Sequence, residues 1–99
     1  MECSVFIPLY LIGFFEVANE EPRVGTSQIS LYMAILTMWV KSGCSVPFKT
    51  KRIDLMKVAK IQSRQTFNKT IRDLHEVGFI RYYPSKNGND GSVIYIRSL

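Results

Sequence analysis

Five side chains in the segment "SRQTFNKTIRDLHEVGFI" have the types and spacing to do recognition chemistry. Arg64 and Arg72 each carry a planar fork of donors that matches the O6 and N7 acceptors of guanine. Gln65 and Asn68 each offer a donor and an acceptor that match adenine. Lys69 is a point charge suited to a phosphate. Arg64, Asn68 and Arg72 follow an i, i+4, i+8 progression, which places them on one stripe of a helix. Phe67, Ile71 and Leu74 fall on the opposite side at core-facing spacing. Ser63 precedes the pattern as a cap, and N–H groups behind such a cap could meet a phosphate.

The elements that would hold these residues are legible from periodicity and punctuation. Pro8 opens a helix to about Asn19, over which Leu9, Leu11, Ile12, Phe14, Phe15 and Val17 cover most of the circumference. "NEEPRVG" reads as a connection. Thr26 or Ser27 caps a second helix to about Ser42, which Gly43 ends. One apolar stripe of that helix is Ile29, Tyr32, Met33, Leu36 and Val40, and a second is Leu31, Ile35, Met38 and Trp39. Ser30, Ala34, Thr37 and Lys41 form the remaining polar or small stripe. A helix this apolar must be covered on two sides. The second cover is the first helix, another copy of the chain, or both.

A short helix is predicted over about Lys51 to Lys60, with Ile53, Leu55, Met56 and Ala59 on its buried side. "KIQS" is a tight turn, and the next helix runs from Arg64 to Val77 and stops at Gly78. Phe79 to Tyr83 and Ser92 to Arg97 read as the two strands of a hairpin. "PSKNGNDGS" joins them, with Asn87-Gly88 and Asp90-Gly91 both suited to positive-phi turns. Residues 45–48 are a candidate third strand. The core is expected to include Ile29, Met33, Leu36, Phe67, Ile71, Leu74 and Ile80. The fold class is thus α+β, mainly helical with a small antiparallel hairpin. No linker divides the chain, so residues 1–99 are read as one domain, with 1–25 as a leading apolar helix and connection.

Composition supports a folded protein with an acidic partner. Hydrophobic residues make up 46% and charged residues 21%, which is not a disordered composition. Residues 1–40 carry Arg23 against Glu2, Glu16, Glu20 and Glu21, a balance of −3. Residues 41–99 carry twelve Lys or Arg against Asp54, Asp73, Glu76 and Asp90, a balance of +8. The basic character therefore belongs to the part of the chain that carries the recognition stripe.

The order of short helix, turn, longer helix and polar-tipped hairpin resembles the winged helix-turn-helix family. Thr66-Phe67, Ile71, Leu74, Gly78 and Ile80 reproduce the family's offsets, and the resemblance spans about Ile29 to Ile96. "SLYMAILTMW" and "FFEVANEEPRV" are also similar to small bacterial regulators with an extra leading helix. The turn "AKIQSRQT" is about a residue longer than usual, and Lys60 stands near the customary glycine. The resemblance implies sequence-specific binding of double-stranded DNA and transcriptional regulation in a bacterium-like cytoplasm. Replication or mobile-element initiation, and protein assembly through the same module, are alternatives. The expected DNA-binding residues are Ser63, Arg64, Gln65, Asn68, Lys69 and Arg72, with Lys86 and Asn87 at the hairpin tip. Lys49, Lys51 and Arg52 are flanking phosphate candidates, and Tyr82, Tyr83 and Tyr95 could stack on bases.

The bland alternatives stand beside these readings. A charged helix face is usually only solvated, and strand tyrosines usually pack. Lys69 and Asp73 are also spaced for a local ion pair. No catalytic constellation is expected. His75 is the only histidine, and "HEVGF" lacks the second His of a zinc-protease helix. No cofactor, metal or small-molecule ligand is expected. Cys3 and Cys44 lack metal spacing and are read as free thiols of a reducing cytosol, with a disulfide between them also open. The apolar N-terminus is too short and too interrupted by Pro8, Gly13 and Glu16 to span a membrane.

Overall fold

In the computed structural model, residues 7–84 and 91–97 are described. They form four helices and a three-stranded antiparallel sheet, a compact α+β arrangement. The helices are α1 (Ile7–Ala18), α2 (Thr26–Lys41), α3 (Arg52–Ala59) and α4 (Arg64–Val77). The strands are β1 (Phe48–Thr50), β2 (Ile80–Tyr83) and β3 (Ser92–Ile96), in the spatial order β1-β3-β2.

Helix bounds follow local chemistry. The Ser63 side chain accepts the Thr66 N–H, and Gly78 ends α4 at φ 102°, in the left-handed region that favours glycine. The cap residue of α2 is Gly25 rather than Thr26 or Ser27, and the Gln28 side chain accepts its N–H at 2.9 Å. α3 ends at Lys60, which takes left-handed φ 62° without being glycine, and the Ile61 N–H then reaches back to the Met56 carbonyl. The third strand lies at Phe48–Thr50 rather than at residues 45–48. Pro47 has no N–H to donate, so ladder pairing begins after it.

The core lies between α2, α4 and the inner sheet face. Leu31, Tyr32, Ile35, Leu55, Phe67, Leu74, Ile80 and Ile94 are fully buried there, and α1 adds only Phe14. The Phe14 ring stacks on Tyr32 at 4.2 Å, and Tyr10 meets Trp39 edge-on at 5.3 Å. The first helix therefore covers part of α2. Its other side leaves Leu9, Ile12, Phe15 and Val17 exposed. Of the expected core, Leu36, Phe67, Ile71, Leu74 and Ile80 are buried, whereas Ile29 and Met33 are half-buried at its margin.

Two expectations need correction. Ile53 is 69% exposed instead of facing the core, because the short α3 turns Leu55 and Ala59 inward. The small stripe of α2 is divided between solvent and α3, with Thr37 and Lys41 exposed. Ala34 is buried and the Ser30 hydroxyl donates to the Ala59 carbonyl, so small residues let α3 approach closely. Cys44 is disulfide-bonded, not a free thiol. Cys3 lies outside the described residues. Among the described residues no helix is long and apolar enough to cross a membrane.

Candidate nucleic-acid interface

α4 is the element that sets the candidate site. Its inner side, Phe67, Thr70, Ile71, Asp73 and Leu74, is buried. Its outer side presents Arg64, Gln65, Asn68, Lys69 and Arg72, all exposed, just after the Ser63 cap. The stripe of types read from the sequence is thus a continuous surface. The first three turns expose cations and amides without a carboxylate, because Asp73 is turned inward.

Asp73 is where the structure adds most. Its Oδ2 accepts from Gln28 Nε2 at 2.9 Å and lies 3.2 Å from Lys69 Nζ. The Lys69 pair was expected from spacing; the Gln28 contact, from a helix start 45 positions earlier, was not. Lys69 remains 74% exposed, so its ion pair is a surface one that contributes little and leaves the ammonium accessible. At the far end of α4, Glu76 meets Arg23 at 3.3 Å. Arg23 also donates to Glu21, and that hydrogen bond holds the Glu21 carboxyl below its ordinary range.

His75 is exposed, and it has a partner. Its Nδ1 accepts the outward-facing N–H of Tyr82 at 3.0 Å. Part of the open edge of β2 is thereby satisfied by α4. Tyr82 is corrected as a stacking candidate. Its hydroxyl meets Ser92 Oγ at 3.0 Å, and its ring packs edge-on to Phe67. Tyr83 and Tyr95 point the other way and are exposed.

Lys51 and Arg52 border a shallow cleft with Tyr82, Pro84 and Ser92, at the start of α3 and beside the hairpin. Lys49 is exposed on β1, apart from that cleft's lining. Lys86 and Asn87 lie outside the described residues. No group of three or more His, Cys, Asp or Glu suited to a metal occurs among the described residues. No family model, curated protein or solved structure matches the chain.

Proposed function

We propose that the chain is a winged helix-turn-helix protein that binds double-stranded DNA in a sequence-specific manner and regulates transcription. α3 and α4 are the helix-turn-helix, α4 is the recognition helix, and β2 with β3 is the wing. The observation that carries this reading is the exposed face of α4, with Arg64, Gln65, Asn68, Lys69 and Arg72 and no carboxylate among them. A helix fits the major groove, and these side-chain types read its base edges or hold phosphate. The left-handed Lys60 supports the same reading, since it supplies a turn conformation near the place where the family customarily has glycine. The protein acts by binding and has no catalytic role.

A binding selection on randomised duplex DNA tests the proposal. The expected outcome is an enriched motif whose affinity falls as salt rises. Failure to bind any duplex at low salt removes the DNA reading.

One observation favours protein association alongside DNA binding. α1 exposes Leu9, Ile12, Phe15 and Val17, and an apolar groove lined by Ile7, Leu11, Met33, Leu36 and Val40 runs between α1 and α2. Apolar surface of this kind suits a two-fold dimer that meets paired half-sites. Sedimentation equilibrium distinguishes this from a monomer of 11.4 kDa.

A further inference from the structure

The outer face of the sheet has a chemistry of its own. Strand alternation sends Phe48, Ile80, Ile94 and Ile96 inward and leaves Lys49, Arg81, Tyr83, Val93 and Tyr95 outward. The register sets Lys49 and Tyr83 on either side of Val93, and Arg81 opposite Tyr95. The Tyr83 and Tyr95 rings meet edge to face at 5.8 Å and stay 48% and 38% exposed. Their π-surfaces are therefore only partly covered.

Cations flank the rings. Arg97 continues the alternation of β3, and its N–H bonds the Phe79 carbonyl. Its Nη1 lies 2.8 Å from where a Cβ of residue 78 would stand, so Gly78 both ends α4 and leaves room for this guanidinium. Arg81 and Arg97 line a polar cleft with His75 and Tyr83 at the β2 edge. The three strands contain no carboxylate. The one acid lining the cleft, Glu76, is engaged by Arg23. No ion pair engages Lys49, Arg81 or Arg97 among the described residues.

We propose that this face binds single-stranded nucleic acid, with bases stacking on Tyr83 and Tyr95 and phosphates held by Arg81, Arg97 and Lys49. A duplex buries the faces of its bases within its own stack, so exposed tyrosine rings serve a strand whose bases are unpaired. An acidic peptide would satisfy the cations but brings no ring to the tyrosines. The site is independent of the duplex reading of α4 and uses none of its residues.

Anisotropy of a short labelled oligo(dT) with the full chain tests it. Wild type should bind, and Tyr83→Ala with Tyr95→Ala should weaken binding by about tenfold or more. Tyr83→Phe with Tyr95→Phe should bind as wild type, because stacking needs the ring and not the hydroxyl. Arg81→Gln with Arg97→Gln should weaken binding and flatten its salt dependence. Asn68→Ala with Arg72→Ala should leave it unchanged. These side chains are at the surface, and an unchanged denaturation midpoint verifies folding of each variant. The inference is overturned if wild type does not bind, if the Tyr→Ala pair binds as wild type, or if the α4 pair weakens oligo(dT) binding. It is also overturned if polyglutamate displaces oligo(dT) as readily as unlabelled oligo(dT) does. Binding of oligo(dT) without binding of any duplex would uphold this site while removing the α4 proposal.

Discussion

Gln28 and Asp73 meet at 2.9 Å in the interior and tie the start of α2 to the middle of α4. Each is 7% exposed, and Gln28 uses its carbonyl oxygen on the Gly25 N–H while its amide serves Asp73. One side chain thus caps a helix and fixes the position of another.

Gln28→Ala should therefore destabilise the protein by about 1–3 kcal/mol, because it leaves a buried carboxylate short of a donor. It also removes the cap on the Gly25 N–H. Urea denaturation at neutral pH measures this, and a midpoint equal to wild type would show that the contact adds no stability.

Lys60 is an ordinary residue in a left-handed conformation, φ 62° and ψ 33°. A Cβ in that region costs about 1–2 kcal/mol, of which glycine's greater unfolded-chain freedom offsets about 0.4–1 kcal/mol. Lys60→Gly should stabilise the protein by roughly 0.5–1 kcal/mol. Thermal unfolding should show a higher Tm; a lower one would contradict the account of the turn.

Tyr32 is fully buried against Phe14, and its hydroxyl has no hydrogen-bond partner among the described residues. Burial first, and the neighbouring Tyr10 second, push its phenol above the ordinary value of 10.0. Above about pH 10 the unfolded chain loses this proton while the folded chain keeps it, so stability falls as pH rises. Tyr32→Phe should be neutral or stabilising at pH 7, since it removes an unpaired buried hydroxyl. It should also reduce the alkaline loss. Urea midpoints at neutral and alkaline pH for both proteins measure the two effects.

On duplex DNA the α4 residues should divide their labour. Arg72→Ala should cost roughly 1–3 kcal/mol and relax preference at one base pair if Arg72 reads a base edge. Lys69→Ala should weaken binding about equally on all sequences and reduce the salt slope by about one unit. A phosphate contact releases counterions but carries no base identity. Titration against a selected and a scrambled duplex at several salt concentrations separates the two. Equal losses on both duplexes for Arg72→Ala would move that residue to the phosphate group.

The sequence alone determined α4 from Arg64 to Val77, its Ser63 and Gly78 ends, and the division between its Phe67-Ile71-Leu74 side and its Arg64-Asn68-Arg72 side. Caps and periodicity are local: a Ser hydroxyl meets an N–H three residues on, and a glycine accepts positive φ wherever it stands. The pairing of Lys69 with Asp73 was legible for the same reason. Only the tertiary structure decided which way Ile53 faces on the short α3, that Tyr82 turns inward to Ser92, and that β1 joins β3 after Pro47. It also decided that Gln28 reaches Asp73 and that Arg97 lies over Gly78. These contacts join segments far apart in the chain, and each is fixed by the space its neighbours leave and by the need to satisfy buried polar groups.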